Sequence, residues 1–144
     1  MKREFSAGGC VFKREGGQIL WAIIKPRLST DFPRERYQLP KGLIDGQESS
    51  EQAALREVKE ETELTARIIQ KIDSTKIFYT FRGEKIFKII TYYLMEYLSG
   101  EPKESTEVEK TMWLPLEEAK KILTHTNDKG ILQKASGLLK AEIT

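Results

Sequence analysis

The stretch GLIDGQESSEQAALREVKEETEL, Gly42 to Leu64, carries six glutamates and one arginine in twenty-three residues. Ser49 followed three residues later by Gln52 is a capping-box pattern, and the spacing predicts a helix over 50–62. At about 100° per residue, Ala54, Leu55, Val58 and Thr62 share one side of that helix. Glu57, Glu60 and Glu61 fall within an arc of about 100° beside them. Carboxylates three and four residues apart repel each other. Either this is a solvated face, partly compensated by Lys59 and Arg56, or a hard divalent cation neutralises it. Mg²⁺ and Mn²⁺ prefer oxygen ligands, and Mg²⁺ commonly works beside substrate phosphates.

The wider pattern decides between these readings. Gly42, five residues, Glu48, seven residues, then Arg56, Glu57, Val58, Glu60, Glu61 and Leu64 resembles the Nudix hydrolase box, filling eight of its nine fixed positions. The ninth, a glycine, is Glu63 here. The resemblance implies that Glu57 and Glu61 are inner metal ligands with the Gly42 carbonyl. It implies that Glu60 serves a second metal or a bridging water, and that Glu48 and Arg56 form a buried ion pair fixing loop to helix. The implied cofactor is Mg²⁺ or Mn²⁺, more than one ion with substrate bound. The implied reaction is attack of water on a phosphorus of a pyrophosphate bridge, with a carboxylate taking the proton. Glu57 or Glu60 is a candidate base, and so is Glu107 on the loop KESTEVEKTMW, favoured over Glu104 and Glu109 by register relative to Trp113. Position 63 calls for the left-handed backbone that glycine adopts freely. The chain must therefore accept a strain of about 1–2 kcal/mol there or end the helix differently.

The flanks address the substrate. YQLPKG, residues 37–42, is similar to the segment before the box in dinucleoside polyphosphate hydrolases and bacterial RNA pyrophosphohydrolases, and Lys41 is placed to meet a phosphate. KIFYTFRGEKIFKIITYYLMEY resembles diadenosine tetraphosphate hydrolases. Those enzymes stack an adenine on a downstream aromatic, which points to Tyr79, with Phe81 and Tyr92 as competitors. Arg27, Arg34, Arg36, Lys41, Lys85 and Lys88 are candidate cations for the wall of a polyphosphate groove, with a solvent-facing position the equal alternative for half of them. RNA 5′ pyrophosphohydrolase and nucleoside triphosphate sanitiser are the alternative activities. The proline that marks many ADP-ribose enzymes is absent from residues 65–81. A nucleotide-sensing domain without activity is the alternative of another class, although such domains usually lose the box carboxylates that remain here.

The chain of 144 residues with 39% apolar content is sized for one domain, residues 1–144. Its 24 Lys and Arg nearly balance 22 Asp and Glu, a net charge of +2, which argues against general nucleic-acid or membrane-surface binding. No signal-peptide pattern or eighteen-residue apolar run is present, and the lone Cys10, flanked by apolar residues, is expected to be a buried structural thiol. A cytoplasmic setting is expected. Two strands joined at Glu15-Gly16-Gly17 open the chain, and an irregular segment from Arg27 to Gly42 follows. Long strands over 66–81 and 85–98 meet at Arg82-Gly83-Glu84. A short strand then ends in TMWLPL. A helix opens with Pro115 in its first turn, and a last helix over 128–141 is capped by Asn127. His125, between them, is expected to be a surface residue or a charge partner at a helix C-terminus. The implied fold is an α/β/α sandwich with a mixed sheet between helices.

Overall fold

The computed structural model describes residues 1–143. Nine elements follow in order: β1 Lys2–Glu15, β2 Gln18–Pro26, β3 Lys41–Leu43, α1 Ser50–Thr62, β4 Thr65–Phe81, β5 Glu84–Ser99, β6 Val108–Leu114, α2 Leu116–Ile122 and α3 Thr126–Ile143. The strands form one sheet in the order β4-β5-β1-β2-β6, with β3 also on β1. Among the described residues only the β1–β5 pairing is parallel, so the sheet is mixed, as expected.

Alternation along β1 and β5 divides the core between the two sheet faces. Ala7, Val11, Tyr93 and Met95 pack with Ala53, Ala54 and Val58 of α1. Cys10, Phe12, Ile90, Tyr92 and Leu94 pack with Ala119 and Leu123 near α2 and with Leu132, Ala135 and Leu139 of α3. This gives the α/β/α sandwich. Cys10 is buried and free, and burial pushes its thiol well above the usual range, as suits an inert structural residue. Among the described residues no helix is long and apolar enough to cross a membrane.

The site exists because β1 changes partner along one edge. Phe12 to Glu15 pair with β2, whereas Ser6 to Gly8 pair with β3. Between those pairings β2 parts from β1, and the chain from Arg27 to Pro40 enters the gap. Ile24 and Gln38 exchange backbone hydrogen bonds at 2.9 Å each, and the Gly9 N–H donates to the Pro40 carbonyl at 3.1 Å. A Cβ at Gly8 would stand 2.3 Å from that same carbonyl oxygen, so only glycine admits the crossing.

Three local expectations need correction. Pro115 is the residue flanking α2, with extended ψ of 158°, and its carbonyl accepts the Ala119 N–H. Helix α3 starts at Thr126, so Asn127 lies inside its first turn and does not cap it; the His125 carbonyl accepts the Lys129 N–H. Tertiary contacts set this earlier start. Thr124 Oγ1 accepts the Tyr37 N–H, and the buried Asp128 carboxylate accepts the Leu39 N–H. His125 precedes α3 and is exposed, the first of its two expected placements, and not a charge partner at a helix C-terminus. On α1, Ala53 joins the buried line while Leu55 is half-buried.

Candidate active site

Helix α1 forms over the expected residues with both arms of the capping box in place. Gln52 N–H donates to Ser49 Oγ at 3.1 Å, and the Ser49 N–H donates to Gln52 Oε1 at 2.8 Å. It ends at Glu63 with φ 66° and ψ 11°, the left-handed conformation that a glycine would take without strain. The Glu63 N–H donates to the Lys59 carbonyl at 2.9 Å, which closes the helix despite the unfavourable residue. The irregularity stays at the exit, and the carboxylates upstream keep their helical positions.

Arg56 is the hub of the acidic face. Its Nε and Nη2 donate to Glu48 at distances from 2.6 to 3.2 Å. Nη2 also reaches the Leu43 carbonyl at 2.9 Å, and Nη1 reaches Glu57 at 2.8 Å and Glu60 at 3.2 Å. One planar guanidinium thus ties the β3 loop to three glutamates. The Arg56 hydrogen bonds, aided by the Asp45 N–H, hold the Glu48 carboxyl down at about 2. The expectation of a buried pair is corrected: the Arg56 side chain is 27% exposed and that of Glu48 19%, so water reaches both. The pair lies at a loop–helix seam open to the surface.

Glu57 and Glu61 point to the inner side, and Glu60 faces water. Glu61 Oε1 accepts the Lys41 N–H at 2.7 Å. Burial pushes the Glu61 carboxyl up to about 8 against that hydrogen bond, and the charges of Glu57 and Glu107 add to the rise. Glu57 is raised as well, chiefly by burial, with Arg56 opposing. A Cβ on Gly42 would come within 2.1 Å of the Glu57 carboxylate, so glycine leaves the room that this side chain fills. Among the described residues no three carboxylate, imidazole or thiol groups converge tightly enough to hold a metal ion as they stand. Arg56 draws Glu57 and Glu60 one way while the Lys41 N–H draws Glu61 another. The donor chemistry nevertheless suits a hard divalent cation: Glu57, Glu61 and the Gly42 carbonyl offer only oxygen donors, and crowded, half-desolvated carboxylates gain most from a positive ion.

Two cavities lead away from the carboxylates. One, of about 290 Å³, is lined by Glu61, Glu107, Arg27, Arg36 and Gln38. The other, of about 420 Å³, shares Arg36 and Gln38 and continues to Lys41, Lys88, Tyr79, Phe32 and His125. Glu107 therefore stands across the first cavity from Glu61, while Glu104 pairs with Arg27 and Glu109 with Lys25. In the second cavity Lys88 is held below its ordinary range by burial and by Lys41. The Tyr79 hydroxyl donates to Glu4 at 3.0 Å, which fixes its ring. Arg36 lies 4.8 Å over the Phe32 ring, and its buried Nη1 has no hydrogen-bond partner among the described residues.

The structure divides the other candidates. Phe81 stacks on Phe32 at 6.1 Å and supports the cavity wall from behind. Tyr92 is 1% exposed, with its hydroxyl on Asp128, so it cannot stack a base. Arg34 is exposed and lines neither cavity, and Lys85 sits by the β4–β5 turn. The sequence does not single out Phe32, Gln38 and His125 as groove residues, nor Glu4 as the partner of Tyr79. An aromatic in a loop dense with arginines was the available signal for Phe32. Nothing local could flag Glu4, which reaches Tyr79 only through the sheet pairing.

The comparisons with known proteins bear on this geometry. A NUDIX domain model matches residues 2–135. The chain belongs to the Nudix family. Its Nudix fold is shared with the crystal structure of a C. elegans Ap4A hydrolase binary complex, with a TM-score of 0.77 and 26% identity over 96% of this chain and 98% of that one. The bis(5′-nucleosyl)-tetraphosphatase [asymmetrical] of Caenorhabditis elegans is 28% identical over 137 residues, covering 93% of this chain and 95% of the relative. A Mycobacterium tuberculosis relative, named as a mutator protein, MutT4, is 31% identical over 104 residues, or 72% of this chain. This Nudix chain spans only 42% of that longer relative's length.

Proposed function

We propose that the chain is a divalent-metal-dependent pyrophosphohydrolase that cleaves dinucleoside polyphosphates, with diadenosine tetraphosphate as the preferred substrate. The observation that carries this reading is the continuity of the groove. Carboxylates stand at one end (Glu61, Glu107), cations in the middle (Arg36, Lys41, Lys88) and aromatic rings at the other (Tyr79, Phe32). That order matches the order of chemistry along a nucleotide with a polyphosphate bridge. The near full-length likeness to the Caenorhabditis elegans tetraphosphatase supports the same substrate.

Glu57, Glu61 and the Gly42 carbonyl would hold Mg²⁺ or Mn²⁺, with Glu60 available to a second ion. Such ions supply charge neutralisation at the phosphoryl oxygens and lower the pKa of bound water. The chain's own residues do the rest. Arg56 and Glu48 keep the β3 loop and the helix in register, and Lys41, Lys88 and the unpartnered Nη1 of Arg36 bind the bridge. Tyr79 and Phe32 stack one base, and Glu107 takes the proton as water attacks phosphorus and the bridging oxygen leaves on the departing nucleotide. Arg34, on the same loop, is assigned only to long-range attraction of the polyanion. The lone, buried Cys10 suits a cytoplasmic, reducing setting.

A second reading, a sanitiser of nucleoside triphosphates, is favoured by a likeness to the 8-oxo-(d)GTP phosphatase of Mycolicibacterium smegmatis, 31% identical over 104 residues, or 70% of this chain. Steady-state hydrolysis of diadenosine tetraphosphate, triphosphorylated RNA, ADP-ribose and oxidised dGTP separates the readings. The proposal expects the highest kcat/KM on the first. Equal or faster turnover of another substrate would overturn it, and tight nucleotide binding without any cleavage would favour a sensor.

A further inference from the structure

The sheet face that carries α1 is not covered along its whole length. Beyond the helix, the register sets Phe5 beside Ile89, Arg3 beside Phe87, Phe78 beside Phe87 and Lys76 beside Ile89. These side chains share one face of β1, β5 and the edge strand β4, and Lys85, two residues before Phe87, joins them. Phe5 is 51% exposed and Phe78 69%, although strand residues of this size are normally covered. The rings of Phe78 and Phe87 stack at 4.5 Å with 22° between their planes, which leaves the outer face of Phe78 open.

The charges on this face have one sign. Arg3, Lys76 and Lys85 are exposed, and among the described residues none of them is in an ion pair. No acidic residue shares the face over strand residues 1–5, 74–80 and 85–91. Asp45, beyond Phe5, lies 3.6 Å from Arg56 and is engaged there. The chain as a whole is nearly neutral, so this is a local segregation of cations around open rings. A second copy pressed face to face would bring these cations against their own kind. The complementary ligand is a flexible polyanion with flat apolar groups at short intervals.

We infer that this open face of β1, β4 and β5 binds single-stranded nucleic acid, with bases stacking on Phe78 and Phe5 and phosphates passing Arg3, Lys76 and Lys85. Base stacking on exposed aromatics tolerates any sequence because every base has a π face. The surface is distinct from the polyphosphate groove. Tyr79, next to Phe78, projects to the other side of the sheet, so the two surfaces lie back to back across β4.

The test is fluorescence anisotropy of the full chain with a labelled 12-mer oligouridylate that ends in a 5′ hydroxyl, in the presence of a chelator. Such a probe has no pyrophosphate for the hydrolytic site. The expected slope of log K against log salt is about −2, from about −0.7 per phosphate met by three cations. Phe78→Ala should weaken binding about tenfold, and Phe78→Trp should preserve it. The Lys76→Ala, Lys85→Ala double variant should flatten the slope by about 1.4. Phe78, Lys76 and Lys85 are exposed and line neither cavity of the hydrolytic groove, so hydrolysis of diadenosine tetraphosphate should match wild type in both alanine variants; that control separates failure here from failure of the proposed reaction. No binding to the oligonucleotide would overturn the inference, as would binding that Phe78→Ala leaves intact. Capture instead by anionic vesicles or an acidic peptide, or a dimer that Phe78→Ala dissolves, would assign the face to another partner and overturn it as well.

Discussion

The carboxylate of Glu57 occupies the space that a Cβ on residue 42 would need, 2.1 Å from where that atom would stand. Glycine at 42 thus leaves room for the proposed ligand. Gly42→Ala should push the Glu57 side chain out of the site while α1, held by its core face, stays folded. The expected result is native circular dichroism with hydrolysis reduced at least about a hundredfold, by analogy with the loss of other positioned catalytic groups. Wild-type activity in that variant would show that the contact is incidental.

Glu48 offers a stability signature. Its carboxyl is held at about 2, against an ordinary 4.5, chiefly by Arg56, with the Asp45 N–H helping. Asp45 also lies 3.6 Å from Arg56, which holds Glu57 and Glu60 on its other side. A carboxyl depressed in the folded state contributes stability that is complete above about 4.5 and is lost as pH falls through about 2. Glu48→Gln should therefore melt below wild type at neutral pH, and the gap should close between pH 4.5 and 2. A gap independent of pH over that range would mean that the ion pair contributes nothing measurable.

Position 63 makes the opposite kind of prediction. Glu63 holds φ 66° at the exit of α1, where a side chain costs about 1 kcal/mol relative to glycine. Glu63→Gly should raise the melting temperature by about 2–4 °C, the shift expected for that energy in a chain of this size. Activity should stay unchanged, because the residues upstream do not move. A fall in melting temperature would show that the Glu63 side chain makes a compensating contact.

Tyr79 and its neighbours show what the sequence could and could not reveal. The acidic helix was legible because its signals are local: the capping box, the apolar side and the carboxylate spacing all lie within twenty-three residues. Strands β1, β2, β4 and β5 were legible for the same reason, with β-branched and aromatic runs bounded by Gly-containing turns. The groove was only partly legible, because it is built from strands and loops far apart in the chain. Whether a strand aromatic faces core or cleft depends on pairing register, which put Tyr92 against Asp128 and Tyr79 beside Lys88. Phe32, by contrast, lies in a loop with no period to read.

Stacking at Tyr79 is testable by a kinetic split. If its ring holds one base, Tyr79→Ala should raise KM for diadenosine tetraphosphate by about 5- to 160-fold, from a stacking energy of about 1–3 kcal/mol. Tyr79→Phe, which keeps the ring but removes the hydrogen bond to Glu4, should stay near wild type. An unchanged KM in the alanine variant would move the base-stacking role to another residue.

The central claim is that the paired inner carboxylates of α1 serve a metal-dependent cleavage of a polyphosphate bridge. Its most direct test is the rate of diadenosine tetraphosphate hydrolysis during a Mg²⁺ titration, in wild type and in Glu61→Gln. The expected result is no turnover without the divalent ion, saturable activation in wild type, and at least about a hundredfold loss in the folded variant at every Mg²⁺ concentration. Metal-independent turnover, or a Glu61→Gln variant as active as wild type, would contradict it.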